Sequence, residues 1–207
     1  MTAHAQGTLN FLALGDSYTI GEGVPANENW PSQLAARLRA DGIAVDDSRI
    51  IARTGWTTDE LSAAMDAAAL HPPYALVTLS IGANNQYRGR PLAEYREQFH
   101  GLLMRAIALA GNQAQRVIVV SIPDWGVTPY ARGERRDPAQ IATQIDAFNQ
   151  AAREETQAMQ ARWVDVTGIS RAPSTRNLLA VDGLHPSAAQ YTHWVEAISP
   201  QAKTALR

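Results

Sequence analysis

Five short apolar runs constrain the fold of this chain more than any other feature: Leu9–Leu14, Arg49–Ala52, Leu76–Ile81, Arg116–Ile122 and Arg162–Val166. Each is partly β-branched, each is bounded by turn residues, and their near-continuous apolarity suits strands buried on both faces. Between them the spacing becomes helical. Pro31–Ala40 sets Leu34 and Leu38 one turn apart and stops near Gly42. Thr57–Leu70 opens on Thr57-Thr58-Asp59-Glu60, a capping-box pattern in which hydroxyl and carboxylate satisfy free N–H groups at the helix start. Pro91–Ala110, Pro138–Ala161 and Pro186–Ile198 each begin on proline, whose missing N–H costs nothing in a first turn. Strand–helix alternation of this kind predicts an α/β fold, a five-stranded parallel sheet with helices on both faces. A chain of 207 residues, with no repeat, low-complexity tract or linker, fits one domain over residues 1–207.

Sheets of this class bind ligands beyond the carboxyl ends of their strands. The polar, glycine-containing segments Gly15–Gly23, Thr54–Thr58, Gly82–Gln86 and Asp124–Asp137 each follow a predicted strand, which places them along one edge. The longest irregular piece, Pro123–Pro138, combines Trp125, Pro129 and Tyr130 with Arg132, Arg135 and Arg136. Irregular segments of that length in a compact domain are more often functional than neutral. This one is expected to border the substrate site, with its arginines as candidates for contacting an anion, against the commoner outcome of solvated loop charges.

Composition removes several classes of function. A net charge of −2 is no footprint for nucleic acid, whose binders present a strongly basic face. The absence of cysteine excludes disulfides, thiolate catalysis and cysteine-based zinc sites. His4, His71, His100, His185 and His193 show no metal-ligand spacing, so neither a metal nor a cofactor is expected. The first apolar run is far shorter than the roughly 20 residues of a membrane span, and Met1–Gly7 has neither the basic start nor the apolar segment of a leader. The expectation is a soluble, cytoplasmic protein; the oligomeric state is not legible.

Two segments carry chemistry that neither would carry alone. Gly15-Asp16-Ser17-Tyr18 ends the first predicted strand, and a strand-to-helix turn there would present a serine hydroxyl at the sheet edge. Such a hydroxyl is a weak nucleophile until a base takes its proton, and a serine N-cap is the bland alternative. Asp182-Gly183-Leu184-His185-Pro186 sets a carboxylate three residues from an imidazole, with Gly183 permitting the bend. A carboxylate on Nδ1–H leaves Nε2 free to accept a serine proton, whereas the bland alternative is an exposed turn. Gly55 after the second strand offers an unobstructed backbone N–H, and Asn84 after the third a side-chain amide, as donors to an oxyanion. Asp16 reads as structural.

The four blocks together resemble the SGNH (GDSL-type) hydrolase family. Gly15-Asp16-Ser17 matches its first block, Gly55 its second, Asn84 its third and Asp182-Gly183-Leu184-His185-Pro186 its last, in order from residue 15 to 186. The resemblance implies a flavodoxin-like three-layer α/β/α sandwich. It also implies Ser17 as nucleophile, His185 and Asp182 as its triad partners, and an oxyanion hole from Ser17, Gly55 and Asn84. The four blocks do not choose among the family's substrates; the low membrane-binding character of the chain favours a small carboxylic ester with a short acyl or acetyl group, hydrolysed through an acyl-enzyme. An acyl thioesterase or lysophospholipase with the same triad is the alternative within the family, and a non-catalytic α/β binding module the alternative outside it. Two positions depart from the pattern. Asn85 stands where the third block usually has aspartate, and Tyr18-Thr19 stand where leucine and serine are common.

Rival motifs are weaker. Gly21-Glu22-Gly23 begins like a dinucleotide loop but lacks the third glycine, is followed by Pro25, and carries an acid that would repel phosphate. No Gly-X-Ser-X-Gly elbow surrounds Ser17. Trp56, Trp163 and Trp194 are expected in the core, while Trp125 and Tyr130 are left open between core and binding wall.

Overall fold

The computed structural model describes residues 7–207; His4 and the reading of the first residues as no leader fall outside that range. Five strands, β1 (Phe11–Asp16), β2 (Arg49–Arg53), β3 (Leu76–Ser80), β4 (Val117–Val120) and β5 (Arg162–Val164), form one parallel sheet in the order β2-β1-β3-β4-β5. This is the flavodoxin-like order, in which the chain first winds outward from β1 to β2 and then reverses to β3 on the other side. The reversal opens a crevice between the carboxyl ends of β1 and β3.

Helices follow the strands as the periodicity predicts. In chain order they are α1 (Ser17–Ile20), α2 (Trp30–Ala40), α3 (Thr58–Ala67), α4 (Ala83–Tyr87), α5 (Leu92–Leu109), α6 (Pro129–Gly133), α7 (Pro138–Ala158), α8 (Thr167–Arg171) and α9 (Ala188–Ala205). α2 and α9 pack together against one face of the sheet, and α3, α5 and α7 cover the other, giving the three-layer α/β/α sandwich. At the start of α3 the Glu60 carboxylate accepts from the Thr57 backbone N–H at 2.8 Å, the reach-back half of the capping box.

The interior strands β1, β3 and β4 are buried along their whole length. β2, at the sheet edge, is only half-buried, so the expectation of burial on both faces fails there: an edge strand has one neighbour and less helix above it. Leu12, Leu14, Leu76 and Leu79 are fully buried. Truncating any one of them to alanine is expected to cost about 2–5 kcal/mol, the usual penalty for a large-to-small change in a packed core.

Most boundaries shift by a residue or a few from the sequence reading, and three differences matter for the site and the core. β1 runs on through Gly15 and Asp16, which had been placed in the loop, because both continue the ladder opposite Ala52 and Arg53 of β2. α9 starts at Ala188 under a Ser187 cap, not at Pro186, and runs through Pro200 to Ala205. Proline inside a helix forfeits a hydrogen bond, yet Trp194, Ile198 and Ala202 are buried on one face of α9 and hold it in register. The Pro123–Pro138 segment is largely ordered into a 3-10 turn (Trp125–Val127) and α6, with Trp125 and Ala131 in the core. Of the aromatic residues expected inside, Trp194 is buried, whereas Trp56 and Trp163 are half-buried.

Candidate active site

Ser17 is the first residue of α1, directly after β1. Gly15 makes that turn possible by close approach: a Cβ there would lie 2.1 Å from Thr19 Oγ1 and 2.6 Å from the Ser80 carbonyl oxygen. Asp16 is the N-cap of α1, and its Oδ1 accepts from the Tyr18 N–H at 3.0 Å. The carboxyl is buried, and burial lifts its pKa to about 7 against the pull of the Tyr18 N–H bond. A structural part for Asp16 agrees with the sequence reading.

The last block arrives from the far end of the chain. Gly183 sits at φ +67°, a conformation that favours glycine, and lets Asp182 fold back under the residues that follow it. Asp182 Oδ1 accepts from the N–H groups of Leu184 (2.9 Å) and His185 (3.0 Å), while Oδ2 lies 2.6 Å from His185 Nδ1. Partial burial opposes the charge on Asp182, but the His185 ring and the two backbone donors outweigh it and hold the carboxyl below its ordinary range. Since a carboxylate only accepts, Nδ1 carries the proton, which assigns Nε2 of the neutral ring as an acceptor. Nε2 lies 2.9 Å from Ser17 Oγ.

Tyr18, one of the departures from the family pattern, lies behind the histidine. Its ring is buried, with its centroid 5.0 Å from that of His185 and 6.5 Å from that of Trp194, so it backs the imidazole against the core.

Gly55 and Asn84 arrive from the two strands that flank β1. Gly55 has φ +85°, and its carbonyl accepts a 2.6 Å bond from the Arg88 guanidinium. Asn84 lies in the first turn of α4, and its Nδ2 donates to the Trp56 carbonyl at 2.9 Å, leaving its second hydrogen free. The two segments are thus tied to each other twice. The Thr54 hydroxyl is also bonded to the Glu22 carboxylate, which links the β2 loop to the loop after α1. Glu22, discounted at the sequence level as a phosphate repellent, serves here as a brace.

Asn85, the departure from the family pattern, is fully buried beneath this loop. Its Oδ1 accepts from the Thr58 N–H (3.1 Å) and its Nδ2 donates to Thr58 Oγ1 (2.7 Å), so the amide joins α3 to α4. The Thr58 hydroxyl in turn donates to Gln98 Oε1. The amide therefore runs the chain of donors in one direction, Asn85 to Thr58 to Gln98.

Ser17, Gly55, Asn84 and His185 all line one cleft of about 130 Å³, and Asp182 stands behind His185. Tyr87, Trp125 and Tyr130 complete its wall. Trp125 and Tyr130 thereby go to the binding wall. Tyr87 went unnoticed in the sequence, although it follows Asn84 by three residues, the spacing that puts two side chains on the same helix face. Arg132, Arg135 and Arg136 do not line the cleft. Arg136 instead lies over the rings of Tyr87 (4.5 Å) and Trp125 (5.6 Å), as a cation settles on an aromatic face. Among the described residues, no helix is long and apolar enough to cross a membrane.

Comparison with known proteins agrees with this architecture. Esterase TesA of Pseudomonas aeruginosa is 22% identical over 200 residues, covering 94% of this chain and 88% of that protein. The crystal structure of a lipase/acylhydrolase from Enterococcus faecalis superimposes with a TM-score of 0.74 at 22% identity, over 97% of this chain and 98% of that one. Axe2, an acetylxylan esterase from Geobacillus stearothermophilus, superimposes with a TM-score of 0.70 at 18% identity, over 95% of each chain. These structural likenesses speak for the fold. The profile of the GDSL-like lipase/acylhydrolase family matches residues 13–193. Nearly the whole chain thus carries the family pattern, and the protein belongs to the GDSL-like lipase/acylhydrolase family of serine hydrolases.

Proposed function

We propose that the protein is a single-domain serine esterase that hydrolyses small carboxylic esters with a short acyl group, through an acyl-enzyme on Ser17. The observation that carries this reading is the continuous line from the Asp182 carboxylate through the His185 ring to the Ser17 hydroxyl, with heavy-atom contacts of 2.6 and 2.9 Å. Hydroxyl, base and orienting acid at hydrogen-bond distance form the constellation that activates a serine.

Ser17 Oγ attacks the ester carbonyl carbon as His185 Nε2 takes its proton. Negative charge collects on the carbonyl oxygen, where the N–H groups of Ser17 and Gly55 and the Asn84 amide serve as donors. The carbon–oxygen bond to the alcohol then breaks, and His185 gives its proton to the departing oxygen. Water repeats the sequence on the acyl-enzyme: His185 takes a proton from the water, the new carbon–oxygen bond forms, and Ser17 Oγ leaves with the proton returned. Asp182 stays ionised throughout and stabilises the imidazolium between the two transfers.

The small cleft, walled by aromatic rings, supports a short acyl group over a long one. Esterase TesA and the acetylxylan esterase are named for ester hydrolysis, which supports an ester over a thioester. Turnover of p-nitrophenyl acetate by wild type and by Ser17→Ala tests the reading. Hydrolysis by wild type that vanishes in the variant is the expected result; equal rates from both would sink it.

A further inference from the structure

The cleft has two chemically different ends. The strand order sets Gly55 after β2, Ser17 after β1, Asn84 after β3 and Trp125 with Tyr130 after β4, in that sequence along one edge of the sheet. At the β2 end the lining is Thr54 and Gly55, and Thr54 is exposed to solvent. At the β4 end it is three aromatic side chains, Tyr87, Trp125 and Tyr130. An apolar acyl chain gains about 0.8 kcal/mol for each methylene removed from water, so it belongs at the aromatic end. The alcohol then leaves toward Thr54 and solvent.

The aromatic end is closed by a contact between two elements. Tyr87 Oη, from α4, lies 3.2 Å from Tyr130 Oη, from α6. The Tyr87 ring is braced from outside the cleft. The Arg136 guanidinium covers the Tyr87 ring and donates to the Tyr87 carbonyl at 2.9 Å. Tyr87 Oη also donates to Glu134 at 3.2 Å. Trp125 stands edge-on to both rings, at 5.4 and 6.4 Å, and its own N–H is fixed on Gln86 at 2.7 Å. The Tyr130 backbone N–H donates to the Gly183 carbonyl at 3.2 Å, joining this wall to the loop that carries Asp182 and His185. Rings held by so many partners cannot swing aside without breaking several contacts at once.

We propose that the Tyr87–Tyr130 contact closes the apolar end of the cleft and sets the longest acyl chain the enzyme accepts, admitting acetyl to butyryl groups and refusing octanoyl. The proposal rests on Ser17 being the nucleophile. Neither tyrosine takes part in the bond-making steps; both act by shape on how far the acyl chain can extend from the carbonyl carbon.

The test is kcat/KM for p-nitrophenyl acetate, butyrate and octanoate in wild type, Tyr87→Ala, Tyr130→Ala and Tyr130→Phe, with fluorophosphonate labelling of each protein. Wild type is expected to favour acetate and butyrate over octanoate. Either alanine variant is expected to raise the octanoate-to-acetate ratio by about tenfold or more, the scale of discrimination that apolar pocket contacts provide. Tyr130→Phe keeps the ring and loses only the hydroxyl contact, so its ratio is expected to rise less. The two alanine variants lie on different elements, so misfolding of one leaves the other to decide. Labelled, folded variants with an unchanged ratio would overturn the proposal. So would a gain on octyl acetate, assayed beside them, with none on p-nitrophenyl octanoate, which would put the wall on the wrong side of the ester. A wild type that neither labels nor turns over any ester overturns the nucleophile assignment, and the wall falls with it.

Discussion

The site residues have separable tasks, so their substitution should grade. Ser17→Ala and His185→Ala remove the proposed nucleophile and the imidazole at hydrogen-bond distance from it; each is expected to lower kcat about a million-fold, and Asp182→Ala somewhat less. Asn84→Ala removes one of the proposed oxyanion donors and is expected to cost roughly a hundred- to a thousand-fold. Equal small losses from all four, measured with p-nitrophenyl acetate, would break the assignment. Asp16 makes a different prediction, about stability. Its folded pKa of about 7 lies above the ordinary carboxyl value, so the fold accommodates the neutral acid. Below about pH 4 the group is protonated whether folded or not and has no effect. From about pH 4 to 7 the unfolded chain loses this proton while the folded chain keeps it, so stability falls as pH rises and levels off above 7. Asp16→Asn keeps the oxygen that accepts from Tyr18 and removes the charge. Its stability relative to wild type, measured by urea unfolding across pH, is expected to climb by a few kcal/mol, in order of magnitude, over that window. A pH-independent difference would show that Asp16 is not buried as a neutral acid.

Elements matter here for what they hold still. Arg88 lies one helical turn beyond Asn84 and binds the Gly55 carbonyl, while its guanidinium also reaches Glu60 at 3.4 Å. An exposed ion pair contributes little to stability, but this guanidinium fixes the peptide next to an oxyanion donor. Arg88→Ala is therefore expected to lower kcat by about tenfold or more with KM and melting temperature nearly unchanged, with Arg88→Lys recovering part of the loss. A fall in melting temperature that accounts for the whole loss would reduce Arg88 to a surface contact. The turn from β1 to α1 offers the opposite case. Gly15→Ala would drive a methyl group against Thr19 and a β3 carbonyl, and is expected to destabilise by about 1–3 kcal/mol by overpacking, readable as a lowered melting temperature.

At the scale of the whole molecule, strand–helix alternation was enough to read a parallel sheet with helices on both faces, because interior strands must be apolar on both faces and their turns must be polar; the flavodoxin-like sandwich came from the family resemblance. The candidate site was legible only from its blocks taken together and their resemblance to the family: Ser17, Gly55 and Asn84 each follow a strand, and the parallel sheet brings strand ends together wherever they lie in sequence. What stayed hidden depends on three-dimensional neighbours. Nothing in Pro123–Pro138 announces that Arg136 will cover Tyr87, or that Trp125 will be core and wall together. Nor does Gly21-Glu22-Gly23 reveal that Glu22 will bind Thr54. The last helix, read as ending at Ile198, runs on through Pro200 because burial of the α9 face outweighs the hydrogen bond that a proline forfeits. Scaffold and site should also separate by experiment. Leu14→Ala, in the interior strand β1, is expected to lower the melting temperature and activity together, whereas Ser17→Ala is expected to abolish activity in a protein that still melts cooperatively.

The central claim is that Ser17 is a nucleophile activated by His185, and covalent labelling tests it most directly. Wild type, Ser17→Ala and His185→Ala would be treated with a fluorophosphonate and the adduct located by peptide mass spectrometry. The account predicts one adduct, on Ser17, in wild type and none at that rate in either variant. A folded wild type that stays unlabelled, or an adduct on another residue that survives Ser17→Ala, would contradict it.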